Sequence, residues 1–461
     1  MSTPIPSQPY GDPAAAAQPT PQGPPPTGYG FYPAAPAPGG PSAKKNRRPL
    51  IIGAVVGVVL LVAAGVGVGA LLRSRGAAGN GTAAAGASAD WAEGSHQSWS
   101  LELESDSYIR GNGSQLVVAS PTDSLGVWTV TAYDTAAGTP QQQWSTRVDT
   151  DADNYRFEYW GDYLVVGTTL LNPSDGGAYT AAWDSTDLLH FLDDYAFLCD
   201  YDGSCTGWSA DNPNASLWET SIDESDEIFT DLSSAYPNPA TVYQDDQVTY
   251  VRVSTNHALN LATGDTIDFE LNDHQDITAL SDGWGKIDYD TGRFTVLSPT
   301  GAETSSFDGG DNEEALGAAY LFDAPHITAA QFRKMATDGD VSWARAQVRT
   351  DYDYATCTTA FLVDGKELAT TQEDWQCSFD DYTPYLLISD DDSLVMLTDS
   401  SPMQKASTIS LRGLWTTADG KLISLGENEF GADQFYLLSS KLIVGYDPSS
   451  GEATGYAPGA E

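Results

Sequence analysis

Residues Pro49–Leu72, PLIIGAVVGVVLLVAAGVGVGALL, form an apolar run without a single charged side chain. Nothing else in the chain narrows its options as much. At ~1.5 Å per residue a helix of this length crosses a ~30 Å hydrocarbon layer, which takes about 20 apolar residues. Lys44, Lys45, Arg47 and Arg48 precede the run and only Arg73 and Arg75 follow it. The positive-inside bias therefore predicts a single-pass helix with a cytoplasmic N-terminus and an extracytoplasmic C-terminal part. A cleaved signal peptide is the competing reading, with GAAGNGTAAAGASAD offering small residues for cleavage. The run is too long for a signal h-region, and a Pro-rich stretch precedes it. Gly53 with Gly57, and Gly65 with Gly69, have the spacing that lets two membrane helices pair, which would make a homodimer. The ordinary glycine richness of such helices is the plainer explanation.

Charge divides at the same place. Six of the 21 basic and one of the 64 acidic residues lie in 1–75, leaving 15 against 63 beyond, a balance of −48. Such a surface repels nucleic acid and anionic lipid. It either attracts cations and basic partners or simply keeps the domain soluble through self-repulsion.

Four segments follow. Residues 1–48 are rich in Pro, Ala, Gly and Gln and end in the basic cluster. They are expected to be a disordered cytoplasmic tail, in which Pro24–Pro26, Tyr29 and Tyr32 offer a polyproline ligand and a plain solvated spacer is the alternative. Residues 49–72 are the membrane helix and 73–90 a Gly/Ala linker. From Trp91 to Glu461 the chain turns to short Val, Ile, Leu and aromatic segments between Asp, Gly, Asn, Ser and Pro, which predicts many strands and tight turns. QLVVAS (Gln115–Ser120), GVWTVTAYD (Gly126–Asp134), DYLVVGTTL (Asp162–Leu170), QVTYVRVS (Gln247–Ser254), PYLLIS (Pro384–Ser389), SLVMLTD (Ser393–Asp399) and KLIVGYD (Lys441–Asp447) are the clearest. Few stretches hold a helical period, and ITAAQFRKMA, Ile327–Ala336, is one that is expected as a short helix.

A turn pattern recurs: a strand, a small or acidic residue, Gly, and a second strand often ending in an aromatic. It is read at Ala132–Trp144, Ala258–Phe269, Val296–Phe307, Met335–Trp343, Leu362–Ala369, Thr416–Leu425 and Gly445–Tyr456. Gly264, Gly301 and Gly339 follow at separations of 37 and 38. A four-stranded propeller blade takes about 40–50 residues, so the all-β region is predicted to be a β-propeller of about seven or eight four-stranded blades. Pairing of the chain near Trp99 with the chain near Tyr456 would close the ring. Trp99, Trp128, Trp144, Trp284, Trp343 and Trp415 lie in or beside strand segments and are expected between blades.

The turn signature LNLATGDT, Leu259–Thr266, with its relatives at Ala132–Trp144 and Tyr446–Gly451, resembles that of the extracytoplasmic β-propellers built from pyrroloquinoline-quinone-like repeats. The whole architecture looks like that of envelope proteins of high-GC Gram-positive bacteria. The resemblance implies one of two things: a quinone-dependent dehydrogenase, or a propeller without cofactor that serves as a binding platform. The enzyme branch typically carries a vicinal disulfide and a calcium ion at the quinone, and no two cysteines are adjacent here.

Four cysteines, Cys199, Cys205, Cys357 and Cys377, suit two local disulfides in an oxidising compartment, although four thiols allow three connectivities. Calcium needs six to eight hard oxygens. Asp149, Asp151 and Asp153 alternate like the first half of a calcium loop, but Asn154 and Trp160 occupy the glycine and glutamate positions. His96, His190, His257, His274 and His326 show no zinc spacing, and nucleophile-elbow, Walker and Rossmann signatures are missing. The expectation is a non-catalytic binding or scaffold module, without resident cofactor, for an extracytoplasmic envelope protein or a cell-wall ligand. A quinone-dependent dehydrogenase-like enzyme and the ectodomain of a transmembrane sensor are the alternatives.

Overall fold

Short two-sided strands leave both faces of a sheet in need of cover, and this chain meets that need by stacking sheet against sheet. The computed structural model describes residues 87–459 except 137, 151–155, 185, 187, 223–240, 246, 310–326, 340–345, 354–355, 374–384, 390, 399–408 and 426–433, with backbone alone at 346–359 and 369–373. Residues 1–48, Pro49–Leu72 with its four glycines Gly53, Gly57, Gly65 and Gly69, Trp343 and His326 lie outside the described residues. Among the described residues, no helix is long and apolar enough to cross a membrane.

Five antiparallel meanders of four strands come first among the complete sheets. They are β2 to β5 (Tyr108–Asn112, Gln115–Pro121, Val127–Asp134, Gln141–Asp149), β6 to β9 (Phe157–Trp160, Tyr163–Val166, Thr169–Leu171, Ala178–Thr180), and β10 to β13 (Leu189–Leu192, Tyr195–Cys199, Ser204–Ser209, Trp218–Ser221). Then follow β14 to β17 (Val242–Gln244, Thr249–Arg252, His257–Asn260, Thr266–Asp268) and β18 to β21 (Gln275–Leu280, Gly283–Asp288, Arg293–Leu297, Glu303–Asp308). A three-stranded sheet holds β22 to β24 (Ala346–Asp353, Thr356–Val363, Lys366–Glu373). The last sheet joins β25 to β30 (Tyr385–Ile388, Leu394–Thr398, Ile409–Thr416, Gln434–Ser439, Leu442–Asp447, Glu452–Pro458) with β1 (Ser95–Glu102), the first strand of the chain, on its edge. The fold is all-β and propeller-like.

Three features make the ring. First strands of neighbouring sheets touch, β2 meeting β6, β14 meeting β18 and β22 meeting β25, so the first strands are innermost, and β2 also meets β28 of the last sheet. Interfaces between sheets are separate apolar layers: Val117, Trp144, Phe157 and Leu164 between the first and second sheets, and Tyr243, Ile267, Ile277 and Trp284 between the fourth and fifth. β1 pairs antiparallel with β30, Gln97 opposite Tyr456 and Trp99 opposite Gly455, which is the expected closure. Trp99, Ile109, Leu116 and Val444 then share one layer between the last and first sheets. Trp99, Trp144, Trp284 and Trp415 are all buried, and Trp128 packs half-buried on the first layer.

A tryptophan lock recurs at these seams. Trp144 on β5 donates its indole N–H to Pro173 O of the second sheet's last turn at 2.7 Å, and Trp218 on β13 does the same to Leu261 O of the fourth sheet's at 2.8 Å. The turn glycines Gly176 and Gly264 have φ of 72° and 75°. A Cβ there would come to 2.6 Å and 2.9 Å from the tryptophan rings. Glycine is thus required twice over, by the turn and by the ring that lies on it.

Two of the strand expectations need correction. DYLVVGTTL is a tight hairpin, β7 turning at Gly167 into β8, since Gly167 at φ 61° reverses the chain within the apolar run. Met335–Trp343 is not a strand pair: Met335 to Asp338 end the helix α1 (Ala329–Asp338), and Gly339 at φ 64° is its C-cap, its N–H bonded to Met335 O. The expected helix is present, opened by a Thr328–Gln331 capping box. Its Phe332 and Met335 cover the face of the fifth sheet that carries Ile287, Phe294 and Val296.

The antiparallel meander sorts the loops onto two faces. First and third turns of a sheet lie at one end, second turns and the crossovers to the next sheet at the other. Both ends of the described chain lie on the first of these, the terminal face, since the Ala89 N–H bonds the Asp391 carboxylate in the turn from β25 to β26, the first turn of the last sheet. Ser88 N–H and the Trp91 indole both donate to Ser440 O, in the turn between β28 and β29, at 2.8 Å and 2.9 Å. Gly459 N–H donates to Gly94 O at 2.9 Å beside them. On the crossover face the chain leaving β1 bonds Leu103 N–H to Gly451 O, the turn between β29 and β30.

Candidate functional site

Polar groups buried at the seams come from residues far apart in sequence. Arg110 on β2 reaches Glu158 on β6 in a bidentate pair, Nε donating to Oε2 at 3.0 Å and Nη2 to Oε1, while Nη1 donates to Ile109 O at 2.9 Å. Its guanidinium also lies over the Phe157 ring, 5.8 Å from the centroid. Tyr436 of β28 is close by; burial pushes its phenol up, against the lowering pull of Arg110. Arg252 on β15 donates from Nη1 to Ile277 O at 2.6 Å and to Asp276 Oδ1 at 2.9 Å, from Nε to Ser254 O, and from Nη2 to Thr255 O. These guanidinium donors are spent inside the protein. The two arginines clamp sheet to sheet, a task that rewards a planar fork with several donors.

Buried tyrosines are likewise structural. Burial raises the phenols of Tyr159 and Tyr243, and Tyr243 donates its O–H to Asp245 Oδ2 at 2.8 Å. Both remain donors through the ordinary pH range.

Of the predicted metal ligands, Asp149 ends β5 at an exposed position and Asp151 and Asp153 lie outside the described residues. Among the described residues no three His, Cys, Asp or Glu side chains gather as a metal site. Cys199 and Cys205 are disulfide-bonded across the β11–β12 hairpin, directly opposite in register. Cys377 and the side chain of Cys357 lie outside what is described. His96 Nδ1 meets Gly459 O, His190 stacks on Phe197, His257 Nδ1 meets Ser254 Oγ and His274 faces Asp290 on the surface.

Many carboxylates shape turns. Asp447 accepts from Ser449 N–H at 2.8 Å, and the Ser449 and Ser450 hydroxyls lower its carboxyl to about 2. Ser393 and Ser389 lower Asp391 in the same manner, Thr416 lowers Asp419, and the Gln275 amide lowers Asp288. Acidity in the sequence therefore serves chain reversal as well as solubility.

The crossover face carries a set of exposed apolar side chains that sequence reading overlooked. Tyr108, at the start of β2, is 43% exposed and sets its ring edge-on to Trp128 with centroids 5.5 Å apart. Leu125, Tyr201 and Tyr289 occupy the second turns of the first, third and fifth sheets, at 87%, 67% and 43% exposure. These turns are braced from behind by the outgoing strands, through Thr150 N–H to Gly126 O, Ile222 N–H to Gly203 O and Gly309 N–H to Gly292 O. A signal for them was present in the repetition of Asp-Tyr-Asp at Asp200–Asp202 and Asp288–Asp290.

No protein-family model and no curated protein matches the chain. Among solved structures, the computationally designed Ika8 protein matches over 78% of this chain and 100% of its own, with TM-score 0.36 and 13% identity. Sqt1 of Saccharomyces cerevisiae matches over 78% of this chain and 98% of its own, at 0.34 and 9%. The Dos1 propeller matches over 79% and 95%, at 0.30 and 8%.

Proposed function

We propose that this chain is a membrane-anchored, extracytoplasmic β-propeller of eight blades that acts as a non-catalytic binding or scaffold module for an envelope protein or cell-wall ligand. Eight results when the seven-stranded sheet is divided at its weakest seam, where only Ile409–Leu411 pair with Phe435–Leu437. β25 to β27 are then one blade, and β28 to β30 with β1 another. The turn glycines of that signature, Gly138, Gly264 and Gly451, all have left-handed backbone, which supports the quinone-like repeat reading.

The apolar run Pro49–Leu72 is the proposed anchor. The Cys199–Cys205 disulfide agrees with an oxidising compartment, the side to which the basic cluster before the run assigns the C-terminal part. The observation that carries the binding reading is the arrangement of the two faces. Both ends of the described chain join the terminal face, and the crossover face opposite presents Tyr108, Leu125, Tyr201 and Tyr289 outward.

Thermal unfolding of the full chain alone, with calcium, and with calcium plus pyrroloquinoline quinone tests this against the enzyme reading, because a ligand that prefers the folded state raises its stability. The melting temperature should be unmoved by the quinone. A rise of several degrees only when the quinone is present would replace the binding module with a dehydrogenase.

A further inference from the structure

The chain enters the ring through a 3-10 turn, Ala89–Glu93, that is capped by Ser88 and ends at Gly94, one residue before β1. Ser88 Oγ accepts Asp90 N–H at 3.3 Å, and Gly94 N–H closes the turn onto Trp91 O at 3.0 Å. Trp91 is fully buried. It shares one apolar layer with Met396 and Leu414 of β26 and β27 and with Phe435 and Ile443 of β28 and β29. Those are the two halves of the seven-stranded sheet, which pair with each other only between Ile409–Leu411 and Phe435–Leu437.

The polar contacts repeat this pattern. The Trp91 indole and Ser88 N–H both donate to Ser440 O, and Asp90 Oδ2 pairs with Lys441 Nζ of the same turn at 3.2 Å. On the other half, Ala89 N–H bonds the Asp391 carboxylate, and Ser95 Oγ at the start of β1 donates to Ser424 O at 2.6 Å. One short turn thus fastens both halves of the sheet, and any pull on the chain before it reaches the fold through these contacts.

The strand that follows has a direction with respect to such a pull. β1 runs from the terminal face, where Ser95 stands opposite Pro458, to the crossover face, where Glu102 stands opposite Glu452. Its ladder bonds to β30 are perpendicular to the strand. Tension between the N-terminal segment and the crossover face runs along β1 and loads all of those bonds together. Tension between the two ends of the chain, both on the terminal face, opens the Ser95–Pro458 end first and breaks the bonds one after another.

We infer that Ser88–Gly94 is a mechanical clasp, which passes tension on the N-terminal segment into the last two blades, and that β1 behind it resists a pull from the crossover face in shear. This rests on the binding-module reading, with its membrane anchor on one side of the clasp and its partner on the crossover face.

The test is constant-force optical tweezers on the full chain in detergent. Azide-bearing side chains at Ala78, Tyr201 and Glu461 carry the handles, and Tyr201 lies inside the hairpin that the Cys199–Cys205 bond closes, so a handle there cannot unravel its own loop. Opening of the clasp frees Ser88–Gly94, roughly 20 Å of extended chain, and comes before release of β1. Trp91→Phe keeps a ring in the layer and removes the donor to Ser440 O. It should open the clasp about five-fold faster, the loss of one hydrogen bond. Trp183→Phe makes the same change between the second and third sheets, where the indole donates to Gly167 O, and should leave that rate unchanged. Release of β1 should be at least about ten-fold slower with load between 78 and 201 than between 78 and 461. Superimposable far-UV circular dichroism melts show that both variants fold. Absence of the clasp step, equal effects of the two tryptophan variants, or equal release of β1 in the two directions would overturn the inference. None of these results touches the calcium and quinone experiment, by which the binding-module reading is judged separately.

Discussion

Alanine at Gly455 puts the closure of the ring under a controlled strain. Gly455 faces Trp99 of β1 on one side and Val444 of β29 on the other, and its φ is not in the left-handed region. The backbone would accept a side chain there. The obstacle is the Trp99 ring, which a Cβ on Gly455 would overlap. Trp99 cannot retreat freely, since it is buried among Ile109, Leu116, Val118 and Val444. Overpacking of this kind costs about 1–3 kcal/mol. Trp99→Ala alone should cost about 3–5 kcal/mol through the lost burial and the cavity.

The two substitutions together give the informative result. With the indole gone, Gly455→Ala has only its effect on the unfolded chain, a gain of about 0.4–1 kcal/mol. The coupling between the sites should therefore be about 1.5–4 kcal/mol, with the double variant more stable than the sum of the singles implies. Urea unfolding of the four full-length proteins, followed by far-UV circular dichroism, measures it. Additivity within about 0.5 kcal/mol would refute the argument that Trp99 of the first strand sits on Gly455 of the last.

Other consequences follow from single contacts. Glu158→Gln removes the buried carboxylate of the pair, leaves the partly buried Arg110 guanidinium without its counter-charge and should cost about 3 kcal/mol in urea unfolding, whereas joint replacement of both by Met and Leu should cost much less. Cys199→Ser opens a bond that closes a short loop, and chain entropy places the loss near ~2 kcal/mol, read in urea unfolding of the variant against the parent. Asp447, Asp288, Asp391 and Asp419 have folded pKa values below the unfolded 3.8, so their stabilisation is complete above that value and is lost as pH falls through the folded ones. Urea midpoints should thus fall between about pH 4 and pH 2, and less steeply in Asp447→Asn. Moderate salt should raise the melting temperature at neutral pH, because it screens the domain's self-repulsion.

What was legible in the chain follows the range over which each signal acts. β3, β4, β26 and β29 lie where their apolar runs predict, because alternation and flanking turn residues act within a few positions. Closure near Trp99 and Tyr456 was legible from the logic of a ring. The Asp-Gly signal before Gly339 misled, since a left-handed glycine ends a helix as readily as it turns a hairpin, and only the capping box upstream separates the two. Arg110 and Glu158 are 48 residues apart and on different sheets, so no local pattern joins them. The exposed tyrosines were hidden by an assumption, that aromatic residues in such a chain serve its core, although Tyr201 and Tyr289 each stand between two aspartates in a turn.

The claim on which the rest depends is that the propeller-like domain is held outside the cell by the run before it. Leu125→Cys, on an exposed second turn, and Ser7→Cys, in the N-terminal tail, place one thiol on either side of that run. Intact cells producing each full-length variant would be treated with a membrane-impermeant maleimide. Labelling of the protein through position 125 but not through position 7, with position 7 reacting only after the cells are broken, is the expected result; labelling through position 7 in intact cells, or protection of position 125 until lysis, would contradict it.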